Sequence, residues 1–76
     1  MPSVEKIIEK MKRQPHSVQF SDVERVLAAY GYAFERLKGS HRRYGNGKTH
    51  ITLPKQNPLK AACISAILDI IEEAEA

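Results

Sequence analysis

Gly45-Asn46-Gly47, set between two short alternating runs at residues 41–44 and 48–53, constrains this chain more than any other feature. A type I′ turn needs positive φ at both central positions, and Asn-Gly meets that need at little steric cost. The expectation is a hairpin centred on Asn46-Gly47. Gly45 then opposes Lys48, Tyr44 opposes Thr49, Arg43 opposes His50, Arg42 opposes Ile51, and His41 opposes Thr52. Side chains alternate between faces with period two. One face carries Tyr44, Ile51 and Leu53, with Arg42 at its edge, and should pack on helices. The other carries His41, Arg43, Lys48, His50 and Thr52 and should meet solvent, with His50 diagonal to His41.

The remaining elements build around that hairpin. Residues 32–37 alternate and are rich in aromatics, which reads as a strand, and Gly39-Ser40 breaks it. Pro54 ends the third strand. Upstream, Val4, Ile7, Ile8 and Met11 fall on one helix face, with Ser3 as cap and Gln14-Pro15 as stop. Ser21-Asp22-Val23-Glu24 matches a capping box, followed by Val23, Val26, Leu27 and Tyr30 at helical spacing and Gly31 at the helix end. Asn57-Pro58 reads as a helix entrance, with the start at Pro58 or nearer Ala61. Ile64, Ile67, Leu68 and Ile71 form the face of that last helix.

The reading is therefore an α+β chain: helix, helix, three-stranded antiparallel meander packed on helices, helix. With 76 residues it is one domain, residues 1–76. Its core spans about residues 20–75, and an additional helix occupies about residues 3–13. A core this small contributes only ~3–5 kcal/mol unless something else helps, which points to a partner protein or to self-association. The lone Cys63 can form neither an intramolecular disulfide nor a thiolate zinc cage. That usage fits a reducing, cytoplasmic setting. No apolar run reaches the ~20 residues of a bilayer span, and the first residues do not read as a secretory signal.

The net charge of +3 hides an uneven distribution. Residues 36–60 carry seven basic side chains and no Asp or Glu, whereas residues 61–76 carry four acids and no Lys or Arg. A solvated basic face is the ordinary meaning of such a stretch. Its length without a compensating acid points further, to a polyanion such as nucleic acid. An imidazole titrates near neutrality and can act as general acid or base. Nearby cations stabilise a phosphate that gains charge in a transition state. RNA supplies its own nucleophile, the 2′-OH, so such a face requires no metal and no protein nucleophile.

Leu37-Lys38-Gly39-Ser40-His41-Arg42-Arg43-Tyr44 resembles the signature of the HicA (YcfA-like) toxin family. The likeness extends to the segment from Val26-Leu27 through Gly31-Tyr32-Ala33-Phe34, to Ile51-Thr52-Leu53-Pro54, and to Ile67-Leu68, covering roughly residues 20–71. The chain has Arg42 where many members have a second histidine, and Lys55-Gln56-Asn57 where many have another.

The resemblance implies a fold like the double-stranded-RNA-binding domain, α-β-β-β-α, with the additional N-terminal helix. It implies a toxin of a toxin–antitoxin pair, an endoribonuclease that cleaves mRNA with His41 as catalytic residue. It implies a HicB-like antitoxin as partner and mRNA as substrate, with no cofactor, metal or membrane. Gly39 and Ser40 would present His41; His50 matches no family motif, and only the expected hairpin register places it to assist. Lys38, Arg42, Arg43, Lys48 and Lys55 are the candidate RNA contacts. The same residues also fit a non-catalytic RNA-binding module, or a subunit whose basic face answers an acidic protein.

Overall fold

The computed structural model describes residues 3–75. Helix α1 spans Val4–Arg13 and α2 spans Phe20–Ala29, joined through a 3-10 turn at Pro15–Ser17. Strands β1 (Ala33–Lys38), β2 (His41–Gly45) and β3 (His50–Pro54) follow, then helix α3 (Ala61–Glu75). The strands form one antiparallel sheet in the order β1-β2-β3. No helix among the described residues is long and apolar enough to cross a membrane.

The apolar stripes meet as their spacing requires. Ile7 and Met11 of α1, Val23, Val26 and Leu27 of α2, and Ile64, Ile67 and Ile71 of α3 are buried together with Tyr44 and Leu53 of the sheet. Burying side chains of this size contributes ~1.5–3 kcal/mol each before chain entropy is counted. Ser3 caps α1, its hydroxyl accepting the Lys6 N–H at 3.3 Å. Gly31, at φ +85°, ends α2.

Three local expectations fail, each for a visible reason. The first is the capping box. Helix α2 begins at Phe20, with Gln19 at the N-cap and no side-chain cap from Ser21. The acceptor comes instead from 37 residues away, where Asn57 Oδ1 takes the Phe20 N–H at 2.7 Å. The second failure has the same cause. Asn57 is committed to α2 and does not open α3, which starts at Ala61, the later of the two starts expected. The segment between is tied down by the Leu59 N–H donating to the Val18 carbonyl at 3.1 Å, with Leu59 buried.

The third is the hairpin register. Gly45 opposes His50, Tyr44 opposes Ile51, Arg43 opposes Thr52, Arg42 opposes Leu53 and His41 opposes Pro54. Every pair is displaced by two residues from a two-residue turn. Among the described residues only glycines have positive φ, so Asn46 does not adopt the I′ geometry. Its side chain builds a four-residue loop instead. Asn46 Oδ1 accepts the N–H groups of Lys48 (2.9 Å) and Thr49 (2.8 Å), while the Asn46 N–H donates to the Thr49 carbonyl. Tyr32 latches this loop through a 2.6 Å bond between its hydroxyl and Thr49 Oγ1. A two-residue slip preserves parity, so every strand side chain keeps its expected face.

Candidate functional site

Lys38-Gly39-Ser40-His41 is itself a two-residue hairpin. Lys38 and His41 are the closing pair of β1 and β2, and Gly39 and Ser40 are the turn. Gly39 has φ +63°, and Ser40 has no positive φ, the pattern of signs of a type II′ turn. Glycine at the first central position is what that turn demands. The turn also fixes which residue faces His41 across the strands: Lys38, with Cβ atoms ~5 Å apart in such a pair.

Strand β1 then departs from simple alternation. A bulge lies between Phe34 and Arg36, so Phe34 opposes Tyr44 while Arg36 opposes Arg43 and Leu37 opposes Arg42. The extra residue is Glu35. The bulge puts Phe34 and Leu37 on the inner face together and aligns Arg36 and Lys38 on the outer face. The result is an open outer cleft of about 380 Å³ lined by Arg36, Lys38, His41, Arg43 and Thr52. His41, Lys38 and Arg36 are exposed, and Arg43 is partly buried.

Five positions are expected to contact RNA, and the sheet separates them. Lys38 and Arg43 flank His41 in the cleft. Lys55 lies at the same end, since its N–H donates to the Ser40 carbonyl at 3.1 Å. Lys48 does not. It sits in the four-residue loop, beside Tyr32, Asn46 and Glu73 in a separate depression. Arg42 is turned to the inner face. Its guanidinium packs between Phe20 (5.7 Å) and Phe34 (5.6 Å) and pairs with Glu24 at 3.7 Å. Its Nε is buried without a hydrogen-bond partner, a cost that the two cation–π contacts offset. Arg42 is thus a peg between α2 and the sheet rather than part of the outer face.

The expected neighbourhood of His50 and His41 is also corrected. His50 opposes Gly45, four residues along β2 from His41. At ~3.3 Å per residue that is ~13 Å, too far for the two imidazoles to share one phosphate. The cleft holds one histidine.

The inner face explains what holds the site still. Tyr44 is buried and its hydroxyl donates to Glu24 Oε2 at 2.6 Å. Burial, then the hydrogen bond to Glu24 and its charge, push the Tyr44 phenol up to about 12, with Arg42 pulling the other way. Phe34 meets Tyr44 edge-on at 5.8 Å. These contacts, with the Arg42–Glu24 pair, anchor the inner face of β2.

Two residues of this region escape a reading of the sequence. Arg36 is one of seven cations in the basic stretch, and only the bulge turns it outward beside His41. Glu35 belongs to the charge-balanced first part of the chain, yet its Oε1 accepts from Arg43 Nε at 3.0 Å. No periodicity marks a bulge in advance. Two of the seven basic residues are therefore paired by glutamates outside the basic stretch, Glu35 and Glu24. Compared with protein-family models, curated proteins and solved structures, the chain matches none.

Proposed function

We propose that this chain is an endoribonuclease toxin of the HicA type, acting on mRNA from a fold like the double-stranded-RNA-binding domain. The observation that carries the reading is the cleft in which His41 stands with Arg36, Lys38 and Arg43. An exposed imidazole among cations supplies a general base and a means of stabilising phosphate charge in the transesterification of RNA. His41 takes the proton of the 2′-OH, the 2′ oxygen attacks the adjacent phosphorus, and the bond to the 5′ oxygen breaks. The leaving oxygen takes a proton from solvent or from His41 in a later protonation state. The products are a 2′,3′-cyclic phosphate and a 5′-hydroxyl. Arg36, Lys38 and Arg43 stabilise the charge that accumulates on the phosphate. A HicB-like antitoxin would cover this cleft in the resting state.

The test is induction of the wild type beside His41→Ala in cells, with growth and mRNA integrity followed together. Arrest and mRNA loss in the wild type, abolished in the variant, support the reading. Equal arrest and equal cleavage in both would overturn the role of His41.

One observation favours a second reading. Because His50 lies at the far end of β2, the cleft offers one histidine rather than an acid–base pair. A module that binds RNA without cutting it needs no second group. Binding by the purified protein without cleavage, and no growth effect on induction, would select that reading.

A further inference from the structure

Arg36 and Arg43 are cross-strand partners on the outer face. Like charges directly opposed are unfavourable, and long cationic side chains left to themselves splay apart. The bulge places a carboxylate beside this pair. Glu35 Oε1 takes the Nε–H of Arg43 at 3.0 Å, and the carboxylate lies over the backbone of Gly45. A Cβ at Gly45 would overlap that carboxylate. The seat therefore exists because the residue there is glycine, although Gly45 has no left-handed backbone to demand one.

The seat has a direction. Arg43 lines the cleft with His41, but Glu35 does not. Glu35 engages the Nε edge of the guanidinium, and no other side chain among the described residues hydrogen-bonds to Arg43. A guanidinium carries five N–H donors in a rigid fork. With Nε held from behind, the Nη1–Nη2 edge is the one left to face the cleft, and that edge matches two oxygens of one phosphate.

We propose that Glu35 is a positioning residue, which uses the space over Gly45 to aim the open edge of Arg43 at one phosphodiester of a bound RNA. This rests on the reading of the cleft as an RNA site. The competing idea is that Glu35 is merely a counter-ion that RNA must displace. The two ideas differ in sign. Removing a counter-ion from a polyanion site raises the local positive charge and tightens binding. Removing a positioning group weakens binding despite the added charge, because Arg43 no longer presents a fixed fork.

The experiment measures the affinity of a 2′-O-methyl RNA oligonucleotide, which cannot be cleaved, at several salt concentrations. Wild type, Glu35→Ala, Glu35→Gln and Gly45→Ala are compared, with thermal unfolding confirming that each is folded. Glu35→Ala should weaken binding about tenfold, the scale of one charge-assisted hydrogen bond. Its salt slope should shrink by ~0.7, the change expected when a protein neutralises one phosphate fewer on a single strand. Gly45→Ala should do the same with no change in charge, by pushing the flexible carboxylate off its seat. Glu35→Gln keeps an acceptor for the Arg43 Nε–H and should restore most of the affinity. Tighter or unchanged binding by Glu35→Ala overturns the inference and leaves the RNA reading standing. Absence of RNA binding by the wild type overturns both.

Discussion

Replacement of Asn57 by alanine isolates the contact that ties the end of the sheet to the helices. Asn57 Oδ1 accepts the Phe20 N–H at 2.7 Å, in a partly buried setting, and α2 has no other side-chain cap. Loss of an N-cap costs ~1 kcal/mol, and an orphaned, partly buried N–H raises the figure toward ~2 kcal/mol. At ~2.1 cal/mol/K per residue, a chain of 76 residues unfolds with an entropy of ~160 cal/mol/K. The melting temperature should therefore fall by about 12 °C, read by far-UV circular dichroism. Asn57→Asp retains an acceptor at a helix N-terminus, where negative charge is favourable, and should melt close to the wild type. A fall of less than about 3 °C for alanine, or an equal fall for aspartate, would refute the claim that Asn57 is the cap.

Three further outcomes follow from the geometry. Tyr44 has its phenol pKa raised on folding from 10.0 to about 12, so its contribution to stability is full below pH 10 and is lost as pH rises toward 12. Denaturant titrations across that range should show a decline that Tyr44→Phe removes. Leu53 is fully buried on the inner face, and Leu53→Ala should cost ~2–5 kcal/mol by urea unfolding, enough to abolish the fold of so small a domain. On the proposed nuclease reading, Lys48→Ala and His50→Ala should leave RNA cleavage within about twofold of the wild type, whereas Arg36→Ala and Lys38→Ala should lower it by about tenfold or more, the scale of one hydrogen bond to a charged group; single-turnover rates decide.

The elements and their faces were legible because they rest on local periodicity. Ile7 and Met11, Val23 and Val26, and Ile64 and Ile67 share helical spacing and are buried together. The sheet faces survived even a wrong register, since the slip was by two residues. What could not be read depends on distant or side-chain chemistry. Asn57 caps a helix that begins 37 residues before it, and no local motif encodes that reach. Asn46 uses its amide oxygen to stretch a two-residue turn into four, which carries His50 and Lys48 away from His41. The bulge at Glu35 is the third case. Alternation alone cannot place Phe34 and Leu37 on one face, and the bulge that does so also brings Arg36 into the cleft. His41 is singled out in the sequence by the hairpin register and by the resemblance of residues 37–44, whereas the turn at Gly39-Ser40 that pairs it with Lys38 is visible only in the structure.

On the proposed reading, His41 moves a proton during RNA cleavage. The most direct measurement is the single-turnover cleavage rate of purified wild type and His41→Ala on the same RNA, alongside the affinity of each for an uncleavable analogue. General acid–base catalysis is worth ~10²–10⁴ in rate, so His41→Ala should lose at least about a hundredfold while its affinity changes by less than about threefold. Cleavage by His41→Ala at the wild-type rate would show that His41 moves no proton in the reaction.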